Sequence, residues 1–382
     1  YGDRLILKLF RHVEPGVNPD LDLGRFLTEE RSFTHCPPVA GWLDYATVDG
    51  GRFTLGIANG FVANQGTAWQ YALETLARYF ERVTAQPSAN GAEKPAPANQ
   101  SLVKLTAEEI PAHAIEKLGA FRHSAELLGK RTAELHVALS TGDGPDFGPE
   151  PFTQLYQRAL YQSMRKLATQ TLLTLRKRFA KLPQGAQAHA KAVLDREAEI
   201  GRDLRTIMQR RVHAMRIRTH GDYHLGQVLY TGNDFVIIDF EGEPARSLSE
   251  RRMKRSPLRD VASMLRSLHY VAYAACFEHL DTLATPAERR PMFLEAANFW
   301  YQWSSVCFLK EYLATTGGAP FMPPNQEEIE LMLNAYLLDK AIYELNYELN
   351  NRPDWVEVPL LGILDLLNAL QLPAPGETVG IS

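Results

Sequence analysis

Side chains able to do chemistry crowd into one stretch, Arg218 to Glu243, RTHGDYHLGQVLYTGNDFVIIDFEGE. His220, Asp222, His224 and Gln227 precede a pair of short apolar runs; Asp239, Glu241 and Glu243 follow it. A carboxylate beside further hard-oxygen side chains suits phosphoryl transfer. One carboxylate takes or orients the proton of an attacking hydroxyl, and the others hold a magnesium ion against phosphates. Magnesium favours few protein ligands, oxygen donors and an octahedral shell completed by phosphate and water.

The elements that must position these groups are legible in the same stretch. Val228 to Tyr230 and Phe235 to Ile238 are rich in β-branched and aromatic residues, and Thr231-Gly232-Asn233-Asp234 lies between them. That pattern is a hairpin. A hairpin brings its outer ends together, so Asp222, Gln227 and Asp239 are expected to converge. The spacing also matches a general kinase pattern: a catalytic Asp, an amide five residues on, a hairpin, then Asp-Phe. Here Gln227 offers the amide oxygen on a longer arm than Asn.

Upstream, Leu5 to Phe10 reads as a strand with Lys8 among apolar residues. A lysine there either guards a sheet edge or grips ATP phosphates from a small-lobe strand; the downstream hairpin favours the second. Asn18-Pro19-Asp20 opens a helix through Glu30, with an Asn or Asp cap and acids in its first turn. Asp22, Glu29 and Glu30 are the candidates to pair with Lys8. Val39–Tyr45 and Phe53–Ala58 read as two more strands. Gly60, Phe61 and Val62 follow, where a kinase connector presents its backbone to adenine. A helix is expected over 69–84, then a Pro/Ala-rich loop over 85–100.

Beyond it the periodicity is helical. Segments 121–140, 151–180 and 184–216 carry it, and the last two are expected to pair as a helical hairpin across Leu182-Pro183-Gln184-Gly185. A basic segment over 245–257 leads to helices over 258–276, 289–315, 326–350 and 360–370. The expected architecture is α+β and two-lobed, protein-kinase-like. Residues 1–64 form a small β-rich ATP-binding lobe with its connector, and residues 65–382 a large helical lobe with the catalytic hairpin and acceptor site. The chain opens on Tyr1 and runs at once into a strand, so an upstream segment or fused domain is expected and the small lobe is expected to be incomplete at its start.

Composition narrows the partners. The 382 residues are 45% hydrophobic and 23% charged with net charge −4, which suits a globular chain and argues against nucleic acid or a membrane as partner. No apolar run approaches membrane-spanning length. Cys36, Cys276 and Cys307 lie far apart with no metal-ligand spacing and read as buried free thiols of a cytoplasmic protein.

Taken together, LILKLF, EPGVNPDLDLGRFL, FVANQGTAW, HGDYHLGQ, IIDFEGEP, KRSPLRDVASMLRS and YELNYELNNRPDW resemble the maltokinases, within the aminoglycoside-phosphotransferase-like branch of the kinase fold. The resemblance runs over nearly the whole chain and includes forms fused behind trehalose synthase. It implies transfer of the ATP γ-phosphate to the anomeric hydroxyl of maltose, feeding α-glucan synthesis. By position, Lys8 would hold phosphates with Asp22 as its partner, and Asp222 would be the base, flanked by His220 and His224. Gln227 and Asp239 would bind magnesium, with Glu241 either a further ligand or a neighbour. Departures are Asp22, where the family usually has Glu, and Thr67-Ala68, where it usually has Asp-Gly. Tyr343, Glu344, Tyr347 and Arg352 are expected to hold the sugar, since residues four apart on a helix share a face and a disaccharide needs both flat apolar surface and polar groups. Arg259 and Asp260 are expected to brace the catalytic loop. Two other readings remain open: a kinase for an aminoglycoside, choline or another sugar, and a non-catalytic nucleotide-binding domain.

Overall fold

The computed structural model describes residues 2–85, 101–282 and 287–369. Of the expected loop over 85–100, Ala85 is the last residue of a helix and 86–100 lie outside the described residues. The fold is α+β and two-lobed, as a protein kinase is. The small lobe holds β1 (Leu5–Leu9), α1 (Pro19–Arg25), a π-helical turn (Phe26–Glu30), β2 (Val39–Ala46) and β3 (Arg52–Gly60). Its strands run antiparallel in the order β1-β3-β2, with Lys8 opposite Ile57. Asn18 caps α1, its side chain accepting from Asp20 N, and Pro19 occupies the first turn, where a missing N–H costs nothing.

The large lobe follows with α2 (Ala68–Ala85), α3 (Leu102–Leu105), α4 (Ala112–Leu118), α5 (Phe121–Ser140), α6 (Gly144–Phe147), β4 (Glu150–Pro151), α7 (Gln154–Arg178), α8 (Gln184–Asp195), α9 (Glu197–Thr206) and β5 (Met215–Arg216). The catalytic hairpin is β6 (Val228–Tyr230) and β7 (Phe235–Ile237), followed by α10 (Leu248–Arg251), α11 (Leu258–Thr282), α12 (Arg290–Thr316), α13 (Gln326–Asn351) and α14 (Glu357–Ala369). The expected hairpin is formed, and in it Tyr230 faces Phe235 and Val228 faces Ile237.

The long helical hairpin over 151–216 is not formed. The second segment breaks at Arg196, whose φ of −100° and ψ of 17° end α8, and helix stops at Thr206. α7 packs chiefly on α13, and α8 on α14. Periodicity reports an apolar face and is silent about the partner that covers it. The basic segment is also not wholly extended. α10 forms there, closed by a capping box between Ser247 and Glu250.

The core of the large lobe is built on α12, which packs on α5 and α11 and buries Phe299, Trp300 and Phe308. Gly129 lets α5 approach closely: a Cβ there would fall 2.1 Å from the Phe308 carbonyl oxygen. All three cysteines are buried and free. No helix among the described residues is long and apolar enough to cross a membrane.

Candidate active site

The connector joins the hairpin by backbone bonds in both directions. Gln65 N donates to Tyr230 O at 2.7 Å and Tyr230 N to Gly66 O at 2.9 Å. At the turn, Asp234 accepts both Arg131 Nε and Nη2 at 2.8 Å, a bidentate tie to α5. Ile238 N donates to Gln227 O at 3.0 Å, so pairing continues past β7 to the hairpin's open end.

At that end Gln227 Nε2 donates to Asp239 Oδ2 at 2.9 Å. Asp239 adopts φ +65°, a left-handed conformation that a non-glycine residue keeps only where its surroundings enforce it. Lys8 Nζ reaches Asp239 Oδ1 at 2.5 Å, Glu241 Oε1 at 2.6 Å and Asp20 Oδ2 at 2.9 Å. Burial works against charge on Asp239, but the Lys8 ammonium outweighs it and holds the carboxyl below the usual range. Lys8 responds oppositely: burial lowers its pKa, and Asp20 and Asp239 more than offset this. β1 is an edge strand, yet Lys8 points into the cleft rather than guarding the edge.

Asp22 does not pair with Lys8; Asp20 does. Asp20 sits at the start of α1, and its other oxygen accepts Phe240 N–H at 2.9 Å. Two residues on, Asp22 is turned about 200° around the helix. It meets Arg218 Nη1 at 2.9 Å and Arg252 Nη2 at 3.4 Å instead. Glu29 is tied to Arg25 at 2.8 Å, and Glu30 is exposed.

The catalytic loop is braced from beneath. Buried Asp260 accepts His220 N at 2.7 Å and Gly221 N at 3.1 Å, and lies 3.4 Å from His136 Nε2. Its expected bracing role therefore matches the structure. Tyr223 Oη and Thr132 Oγ1 are 2.8 Å apart, which ties the loop to α5. His220 Nε2 donates to Ile238 O at 2.9 Å, while its Nδ1 faces Asp222 N at 3.4 Å. His224 Nδ1 accepts Gly226 N–H at 3.0 Å, and burial lowers its pKa. Both imidazoles are thus placed as loop braces. Asp222 stands beyond them, and His224 feels both Asp222 and Asp239.

Asp222 opens onto a pocket also lined by Glu243, Arg246, Arg259, Asp339, Lys340 and Tyr343. Glu243 accepts Arg246 Nε at 2.5 Å and the Tyr343 hydroxyl, and lies 3.6 Å from Arg259. Burial pushes Glu243 up, and Arg246 and Tyr343 outweigh it to give a lowered pKa. Asp339 has no such close partner; burial pushes its carboxyl up to about 6. Lys340 Nζ sits 4.7 Å above the Tyr343 ring.

The expected sugar residues separate. Tyr343 lines the Asp222 pocket. Glu344 faces the other way and accepts Arg266 Nε at 3.0 Å and Nη2 at 2.7 Å. Tyr347 and Arg352 form an exposed shelf one turn on, where the Arg352 guanidinium lies 5.4 Å from Tyr347 and 5.9 Å from Trp355. The connector is narrower than expected: Gly60 N–H goes to Pro38 O at 2.8 Å and Phe61 N–H to Arg4 O at 2.9 Å, while Val62 O accepts Asn64 Nδ2 at 2.8 Å. The Gly60 and Phe61 donors therefore serve the sheet. Glu243, one of the acids singled out after the hairpin, lies in this pocket. Sequence reasoning missed Asp20, Arg246, Asp339 and Lys340. Asp339 stands four residues before Tyr343 and was findable by the same spacing; Arg246, on a loop, was not.

A lysine gripped by acids from α1 and the hairpin, and a carboxylate over a polar pocket, define a kinase-like phosphotransferase site. The chain belongs to the phosphotransferase enzyme family, whose pattern matches residues 2–292. It is similar to a glucosamine kinase of Streptacidiphilus jiangxiensis, 25% identical over 243 residues, 64% of this chain and 49% of that protein. A glucosamine kinase of Mycolicibacterium smegmatis is 31% identical over 150 residues, 39% of this chain and 34% of that one. This chain thus spans half or less of the curated relatives it matches. Among solved structures, a glucosamine kinase in complex with glucosamine, ADP and inorganic phosphate superposes with TM-score 0.67 at 21% identity, over 96% of this chain and 73% of that one. That likeness is one of fold, and it runs over nearly the whole chain.

Proposed function

We propose that this chain transfers the γ-phosphoryl group of ATP to the anomeric hydroxyl of maltose. The products are maltose 1-phosphate and ADP. Asp222 accepts the hydroxyl proton as the sugar oxygen bonds to phosphorus and the bond to the ADP oxygen breaks. Lys8, released from its carboxylates, grips the phosphates. Asp239 and Gln227 would hold magnesium, with Glu241 beside them; the Gln227 amide offers its oxygen after a half-turn. Asp20, Asp239 and Glu241 present oxygens within 4.8 Å of one another, a donor set that suits a hard cation. Bound there, magnesium would neutralise phosphate charge.

The observation that carries the acceptor class is the charge balance over Asp222. Three acids (Asp222, Glu243, Asp339) face three bases (Arg246, Arg259, Lys340). A balanced pocket rich in donors and acceptors favours a neutral polyol. An aminoglycoside or choline would call for surplus negative charge. The Tyr347–Trp355 shelf beyond Tyr343 offers the flat surface a second sugar ring needs. A second reading has an amino sugar as acceptor, favoured by the names of the relatives.

A coupled ADP-release assay over maltose, glucose, glucosamine, kanamycin and choline decides between them. Maltose is expected to give the highest kcat/KM, with 1-phosphate as product. Preference for glucosamine would overturn the first reading in favour of the second. ATP binding with no turnover on any acceptor would mark a non-catalytic nucleotide-binding domain.

A further inference from the structure

A second cavity lies inside the helical lobe, away from the hairpin. Its wall includes Arg266 and His269 of α11, Tyr301 and Gln302 of α12, and Asp365 of α14. His269 is fully buried, and neither ring nitrogen has a hydrogen-bond partner among the described residues. Gln302 Oε1 is likewise buried without a partner. A buried polar atom left unpaired costs about 1–3 kcal/mol, so unpaired atoms on two residues that line one cavity call for a ligand or ordered water, and the neutral ring offers it one acceptor nitrogen.

The charges do not balance here, in contrast to the Asp222 pocket. Arg266 is committed to Glu344. α14 is pressed onto it: a Cβ at Gly362 would fall 2.2 Å from Arg266 Nη1. Burial and the Arg266 charge hold the His269 pKa well below its usual value, so the ring is neutral. That leaves Asp365 as the unmatched charge among the described residues. It accepts the Tyr273 hydroxyl at 3.2 Å, and His269 Nε2 lies 3.7 Å away, beyond hydrogen-bond reach. The titratable and charged groups facing it are Arg266, His269 and Tyr273 from α11 and Tyr301 from α12, while Glu344 from α13 acts on Arg266 and Tyr301. Burial pushes the Asp365 carboxyl up to about 6, as an unmatched carboxylate should respond.

We propose that this cavity is a second binding site, separate from the phosphoryl-transfer pocket, and that it takes the primary ammonium group of a small organic cation. The acceptors are the Asp365 carboxylate, Gln302 Oε1 and the unprotonated nitrogen of His269. An –NH3+ group carries three donors and no acceptor, and it supplies the missing positive charge. A neutral polyol leaves Asp365 uncompensated, and an anion is repelled. The proposal is independent of the acceptor reading above. The two cavities have no lining residue in common, though Ser263 of the Asp222 pocket and Arg266 of this one are three residues apart on α11.

The test is calorimetric titration of the whole chain with methylammonium chloride at about pH 7.5, where Asp365 is ionised, against sodium chloride of equal ionic strength. Saturable binding is expected, weakened at least about tenfold by Asp365→Asn or by Gln302→Leu and unchanged by Asp222→Asn. The affinity should fall as pH drops below about 6. No saturable heat, meaning that the cavity holds water only, overturns the proposal. So does binding lost in Asp222→Asn, which would place the ammonium in the acceptor pocket. If Asp365→Asn does not fold, Gln302→Leu decides: unchanged affinity there overturns it equally.

Discussion

The pairing of Asp22 offers a sharp test, because the sequence and the structure assign it different partners. Arg218 is 1% exposed and its Nη1 lies 2.9 Å from Asp22 Oδ2. Two unit charges about 4 Å apart attract by roughly 4 kcal/mol at an effective dielectric constant of about 20. Asp22 retains 18% side-chain exposure and shares its carboxylate with Arg252. Screening and sharing reduce the expected coupling to about 2–3 kcal/mol. Arg218 Nη2 is already buried without a partner among the described residues, so Asp22→Asn alone should destabilise the fold by about 3 kcal/mol. The assay is a double-mutant cycle of Asp22→Asn and Arg218→Met by urea unfolding. A parallel cycle of Asp22→Asn with Lys8→Met should give a coupling below about 0.5 kcal/mol. Asp20→Asn with Lys8→Met should couple by about 1 kcal/mol, since Lys8 is a third exposed. Because α1 carries Asp20, Asp22→Asn should also raise the KM for ATP more than that for the sugar. Strong coupling of Asp22 to Lys8, with none to Arg218, would refute the assignment.

Three further outcomes are expected. Asp222→Asn should lower turnover at least about a hundredfold with ATP affinity nearly unchanged; near-normal turnover would remove Asp222 as the base. Asp239→Ala should abolish magnesium-dependent ATP binding measured by calorimetry, and unaltered binding would mean the cation is held elsewhere. Asp339 has its pKa raised to about 6 in the fold, so it is ionised above that pH and takes up a proton as pH falls through it. The sugar KM should therefore rise as pH drops below about 6, and Asp339→Asn should remove the inflection; an inflection that persists assigns it to another group.

The sequence by itself determined the elements whose signals are local. The hairpin followed from β-branched runs around Thr231-Gly232-Asn233-Asp234. The convergence of Gln227 with Asp239 followed from its topology. α1, α5 and α13 were legible from caps and apolar spacing. Lys8 was singled out because a charge inside an apolar strand demands a partner. The identity of that partner was not legible: acids at positions 20, 22, 29 and 30 all lie near α1, and only the angle at which α1 meets the hairpin turns Asp20 toward Lys8 and Asp22 toward Arg218. The same limit applied on α13. Tyr343 and Glu344 are adjacent in sequence and point about 100° apart, one into the Asp222 pocket and the other onto Arg266 of α11. Helical periodicity located a polar face on this element, but which side chain enters the Asp222 pocket and which meets arginine depends on the helix packed against it. Arg246, on a loop with no period, entered the site through folding alone, whereas Glu243 was legible as an acid beside the hairpin and only its pocket was not. Tertiary packing decided each of these because charge pairing acts over a few ångströms, and such distances between remote segments are set by the packing of the whole lobe.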